Sequence, residues 1–168
     1  MNRTIYLILL FIFLLLLQVL VLNNILFLGY VNPYIYIVFI FLYPIKENRF
    51  PILITAFLLG LSIDAFSNSG GIHTFATLFI AYIRLFFFKV IFKKTTTDYQ
   101  LFNLRHESFD KVFNYTAILT LIHHFILFSL TNFSFYNFTN VLINTLFSSV
   151  FTLLLYFLGS FIFRKKLT

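Results

Sequence analysis

Six apolar runs, separated by short polar breaks, divide the chain at about residues 5–22, 31–45, 51–66, 72–92, 112–131 and 139–163. Runs of this length suit helices that cross a ~30 Å hydrocarbon layer at ~1.5 Å per residue. The pattern predicts an all-α bundle of about six transmembrane helices, forming one polytopic membrane domain over residues 1–168. The second run is the irregular one. Asn32-Pro33 interrupts it, and Pro33 suits the first turn of a helix. From Pro33 to Tyr43 a helix rises only ~15 Å, half a bilayer. A short second helix is therefore expected, preceded by a re-entrant or interfacial piece from Ile25 to Tyr30. The first run is too long for the core of a cleavable signal and lacks a small-x-small site, so it is read as the first spanning helix.

Polar positions inside the runs recur at helical spacing and mark inward faces. Ala56, Gly60 and Asp64 share one face of the third predicted helix, and His73, Thr77, Ala81 and Arg84 one face of the fourth. Thr116, Thr120 and His123 align in the fifth, and Asn140, Asn144, Ser148 and Thr152 in the sixth. Small and polar stripes let membrane helices pack where no hydrophobic drive separates protein from lipid.

Composition and charge add orientation. The chain is 61% hydrophobic and 10% charged, with a mean hydropathy of +0.96, more apolar surface than a soluble domain this size can hide. Of its 12 Lys and Arg residues, all but Arg84 fall on one side of the six-span topology: Arg3; Lys46 and Arg49; Lys89, Lys93, Lys94, Arg105 and Lys111; Arg164, Lys165 and Lys166. The positive-inside rule puts that side, and both termini, in the cytoplasm. The net charge of +7 reads as topology plus attraction to anionic membrane lipid, with no nucleic-acid patch. The mixed-charge loop 93–111 is read as a solvated linker or as a docking surface for a cytoplasmic partner. The chain has no cysteine, which excludes disulfides and thiolate metal sites.

Candidate chemistry centres on Asp64, the one carboxylate inside an apolar run, because an ionisable group there is expensive. Asp64 lies near the outer end of its helix, and His73 opens the next helix across a Ser-Asn-Ser-Gly-Gly turn. The two are expected to meet directly or through a water, or Asp64 to cap backbone or bind a side-chain amide. Gly70 and Gly71 allow the positive φ that so tight a hairpin needs. Arg84 lies ~16 Å deeper, too far to pair with Asp64, and is expected to snorkel toward the cytoplasm or bind lipid headgroups. His123 and His124 point ~100° apart on one helix with no chelating spacing, so they read as neutral imidazoles bonding neighbouring helices rather than as metal ligands. No GxSxG or comparable nucleophile motif occurs. An intramembrane enzyme built on Asp64 and His73 would lack both nucleophile and metal. No cofactor is expected.

These residues resemble the rod shape-determining membrane protein family MreD, in the form found in Bacteroidetes-type bacteria. The resemblance spans nearly the whole chain. It is carried by Gln18 to Pro33 (QVLVLNNILFLGYVNP) with Tyr36 and Pro44-Ile45, by Gly60, Leu61, Asp64, Gly71, His73 and Tyr82 in a G-x-x-x-D … G-x-H … Y order, and by Ile122-His123-His124. It implies a non-enzymatic scaffold subunit of the cell-elongation machinery in the bacterial inner membrane. Its partners would be MreC and, alongside it, MreB, a SEDS glycosyltransferase and a penicillin-binding transpeptidase. The implied contact surfaces are the hairpin of the third and fourth helices, the polar-faced helices and the loop around Arg105. The alternative is the substrate-binding subunit of an energy-coupling-factor vitamin transporter, a fold the MreD family is thought to share. There Asp64, His73, Asn140 and Asn144 would line an outward pocket. Such subunits dock their energising partner through alanine-xxx-alanine faces, whereas the first predicted helix here has no alanine.

Overall fold

A computed structural model describes residues 2–25, 31–94, 102, 104–132 and 138–162. Its long helices are α1 (Arg3–Leu16), α3 (Phe50–Ser67), α4 (Ile72–Phe92), α5 (Phe109–Thr131) and α6 (Phe138–Ile162); α2 (Val38–Leu42) is a short one. α1 continues through a wide π-type turn at Leu17–Val21 and a tight 3-10 turn at Leu22–Asn24. Among the described residues, five helices are long and apolar enough to cross a membrane: Arg3–Asn24, Phe50–Ser67, Ile72–Phe92, Phe109–Thr131 and Phe138–Ile162. The chain is thus an all-helical, multi-pass membrane protein.

The second crossing departs from expectation. Residues 31–45 do not form one helix. Backbone from Asn32 to Tyr34 is irregular, a 3-10 turn covers Ile35–Ile37, and α2 adds only five residues. Pro33 precedes the first turn instead of sitting in it. The segment nevertheless traverses the bundle. Asn23, at the end of α1, donates to Ser67 Oγ at the end of α3 (2.8 Å), so both helices end on the same face. α3 starts at the opposite face, and the chain must return there between Asn24 and Phe50. Residues 26–30, expected to be re-entrant or interfacial, lie outside the described residues.

The remaining helices alternate in direction. Ring contacts set their levels: Phe92 at the end of α4 meets Tyr115 near the start of α5 (5.5 Å between centroids), and Phe113 of α5 meets Phe157 near the end of α6 (5.9 Å). The bundle end that carries the start of α1 therefore carries the end of α6.

Burial is inverted relative to regularity. Tyr36, Ile37, Phe39, Ile40 and Phe41 of the broken crossing are at most 1% exposed. The long helices instead expose one apolar face each, with Leu20, Phe50, Phe86, Leu146 and Phe161 open on the perimeter as a lipid-facing surface requires. The least regular segment is the centre of the bundle.

Candidate functional site: a buried polar network around the broken crossing

In a bilayer, backbone groups outside a helix must find partners within the protein. Along the second crossing those partners are the polar side chains of the other helices. Ser148 Oγ of α6 accepts from the Asn32 backbone N–H (3.3 Å), and Thr152 Oγ1 accepts from Tyr34 N–H (3.0 Å). Gln18, fully buried in the wide turn of α1, donates to the Pro33 carbonyl (3.2 Å) and to Asn23 Oδ1 (2.8 Å). At the far end, α2 stops before Pro44 with unpaired carbonyls. Arg84 of α4 closes them: its guanidinium donates to the carbonyls of Ile40, Tyr43 (2.8 Å) and Pro44 (3.2 Å). A cation at the carbonyl end of a helix also matches the helix dipole.

This corrects the expectation for Arg84. Its side chain is 3% exposed and points into the bundle, neither snorkelling nor open to headgroups. The planar fork of guanidinium N–H groups can bridge three carbonyls where an ammonium would serve them poorly.

Asp64 is likewise committed. Its Oδ1 accepts from Ser69 Oγ (2.5 Å) and from the backbone N–H of His73 (3.0 Å); its Oδ2 accepts from Thr74 N–H (2.7 Å) and Thr74 Oγ1 (2.5 Å). The N-cap position of α4 is Gly71, which has no side chain to offer. A carboxylate of α3 therefore caps the second and third N–H groups of α4 from outside, at the positive end of its dipole. Asp64 meets the backbone of His73 and not its ring. Gly70 and Gly71 hold φ values of 67° and 96°, and Asn68 adopts a left-handed φ of 52° to end α3. Gly60 sets the spacing: a Cβ there would lie 2.5 Å from Thr74 Cα.

The histidines meet at the centre. Tyr36 Oη lies 2.9 Å from both His73 Nδ1 and His123 Nε2. One hydroxyl hydrogen serves two ring nitrogens, so one imidazole donates to Tyr36 and the other accepts. His123 Nδ1 has no partner, and a buried lone pair is cheaper to orphan than a buried N–H. A His123 tautomer with its proton on Nε2, and Tyr36 donating to His73, meets both conditions. His124 bonds the Thr120 carbonyl (2.8 Å) and Thr152 Oγ1 (3.1 Å). The Tyr34 ring packs against His73 and His124, with centroids at 5.4 Å each, and against His123 at 6.5 Å.

The structure thus brings Gly60, Asp64, Gly71 and His73 together at the hairpin, with His123 reached through Tyr36. Arg84 belongs to the other end of the crossing. Tyr82 is exposed, with the Arg49 guanidinium 5.5 Å over its ring. Asn140 is exposed and Asn144 only half-buried, so neither lines an interior pocket; the inward face of α6 runs through Thr145, Ser148, Ser149 and Thr152. The Arg105 side chain lies outside the described residues, although Leu104–His106 forms a 3-10 turn beside an ion pair of Lys94 with Glu107. No group of three or more metal-binding side chains occurs among the described residues. Gln18 and Tyr34 were not singled out as site residues. Gln18 is the one polar residue within 5–22, which was the available signal; Tyr34, two residues from Tyr36, carried none. No family model, curated protein or solved structure matches the chain.

Proposed function

We propose that this protein is a non-enzymatic scaffold of the bacterial inner membrane, an MreD-like subunit that holds an MreC-like partner within the cell-elongation complex. In this reading MreB, a SEDS glycosyltransferase and a penicillin-binding transpeptidase work alongside it, and both termini face the cytoplasm. The observation that supports the reading is the commitment of the polar groups at the hairpin and along the broken crossing. Asp64 accepts four hydrogen bonds, Arg84 serves three carbonyls, and Tyr36 joins two histidines. Groups engaged this way hold a shape, which is what a scaffold requires. The sequence resemblance and the one-sided distribution of Lys and Arg agree with it.

One observation favours the transporter-subunit alternative: broken membrane segments often build substrate sites, and here a broken crossing lies at the bundle centre. That centre is filled by Tyr34, Tyr36 and the histidine rings. Depletion in the native bacterium separates the two. Scaffold loss predicts rounding and widening of the cells, with loss of the co-purified MreC-like protein. Unchanged shape, with growth failing only when a vitamin is scarce, would sink the scaffold reading.

A further inference from the structure

Two features meet at the Lys/Arg-rich end of the bundle. The first is a shallow notch below the turn that joins α2 to α3. Lys46 and Arg49 line its mouth, and the buried Arg84 lies at its floor among Tyr43, Pro44 and Ala81. No carboxylate lines it; the neighbouring Glu47 is exposed and is not among the lining residues. Arg84 has no ion-pair partner among the described residues; its charge is offset there by carbonyl dipoles and by the Tyr43 ring, 6.0 Å from the guanidinium carbon. Lys46 is exposed, and Arg49 is held over Tyr82.

The second feature is a groove of about 280 Å³ between α1 and α3, where α2 is too short to fill the space. Leu7, Ile8, Phe11, Phe39 and Leu58 line it, and its walls are almost wholly apolar. Ile8 and Leu58 are about half exposed, so the groove opens on the lipid-facing perimeter. Tyr43 lines both the groove and the notch, so the two lie side by side. Thr4 also lines the groove, next to exposed Arg3, at the same end of the bundle.

We infer that this surface binds one anionic diacyl phospholipid, with its phosphate at Lys46 and Arg49 and an acyl chain in the groove between α1 and α3. The charge complementarity is local: two accessible cations over a third that is buried, with no acid in the lining. Basic pockets at the edges of membrane helices bind anionic headgroups in this way, each cation near the surface adding attraction. The apolar groove supplies what a free anion would not use. The inference rests on the fold and is independent of the scaffold reading.

The test uses the full chain in detergent, with thermal unfolding followed after addition of phosphatidylglycerol, phosphatidylcholine or inorganic phosphate. Native mass spectrometry counts retained lipid in parallel. Phosphatidylglycerol is expected to raise the midpoint and to remain bound, with neither effect from phosphatidylcholine or phosphate. The Lys46→Gln/Arg49→Gln variant should lose at least tenfold in phosphatidylglycerol affinity while unfolding normally in detergent alone. Should Arg49→Gln disturb the Tyr82 contact, the exposed Lys46→Gln single variant still reads a several-fold loss. Thr55→Trp, which fills the groove wall, should displace the lipid with both cations intact. An equal response to phosphatidylcholine, a response to inorganic phosphate alone, or unchanged binding in the double variant would overturn the assignment. So would a second copy of the chain or another protein covering the groove and excluding lipid.

Discussion

The bonds that hold the α3–α4 hairpin join Asp64 to residues five to ten positions away. The bonds that hold the broken second crossing span far more chain: Tyr34 reaches Thr152 across 118 residues, and Ile40 reaches Arg84 across 44. The two regions face the same requirement, to give irregular backbone the partners that lipid cannot supply. The hairpin meets it locally, with one carboxylate, two glycines and a left-handed asparagine. The crossing gives up its own helical bonds and takes partners from α1, α4 and α6. Its stability is therefore distributed over the bundle, while the hairpin carries its own. Helix capping and helix packing are local rules; satisfying irregular backbone is a property of the assembled fold.

The largest effect should follow loss of Arg84. Arg84→Gln leaves at most two of the three carbonyls bonded and removes the cation at the end of α2, a loss of about 2–4 kcal/mol from the charge-assisted bonds lost and the acceptor left unsatisfied. Chemical unfolding in mixed micelles should show it. Arg84→Lys should recover only a minor part, because an ammonium cannot span the three carbonyls. A lysine variant as stable as the wild type would mean that charge alone matters at this position.

Gly60 gives the next effect. A Cβ at 2.5 Å from the Thr74 backbone must push α3 and α4 apart, so Gly60→Val should destabilise by about 1–3 kcal/mol or more. The damage should stay in the hairpin, and cross-links placed between α5 and α6 should form at wild-type rates.

Asp64→Asn is milder. An amide keeps one acceptor oxygen but loses the charge at the α4 dipole, and it cannot accept four bonds. A loss of about 1–2 kcal/mol is expected, confined to protection of the first turn of α4 in amide exchange. Tyr36→Phe should be of similar size, since it leaves His73 Nδ1 and His123 Nε2 without a shared partner. Asn140→Ala, on the exposed start of α6, should stay within about 0.5 kcal/mol of wild type.

The contrast between regions also explains what the chain reveals before folding. Hydropathy alone locates the long helices: the expected runs at 51–66, 72–92 and 139–163 correspond to Phe50–Ser67, Ile72–Phe92 and Phe138–Ile162. The hairpin is readable because its determinants are adjacent; Asp64, Gly70, Gly71 and His73 fall within ten positions. The second crossing announces its irregularity through Asn32-Pro33 but not its place. Nothing local to residues 31–45 says that this segment is the most buried in the bundle. Arg84 illustrates the same limit. Read on its own helix it is a cation toward the Lys/Arg-rich end, and the carbonyls of Ile40, Tyr43 and Pro44, 40 to 44 residues away, turn it inward. Asn140 and Asn144 fail for a related reason. They continue the i+4 row of Ser148 and Thr152, but the row drifts around α6 and leaves the interior toward the helix start.

The most direct test of the broken crossing follows the Tyr34 amide by hydrogen exchange in a membrane mimetic, with wild type and Thr152→Val side by side. If the hydroxyls of α6 satisfy this backbone, Tyr34 N–H exchanges in wild type as slowly as the helical amides around it, and Thr152→Val accelerates it selectively while α3 and α4 stay protected. Rapid exchange of Tyr34 in wild type, or protection that survives the loss of the Thr152 hydroxyl, would contradict the arrangement.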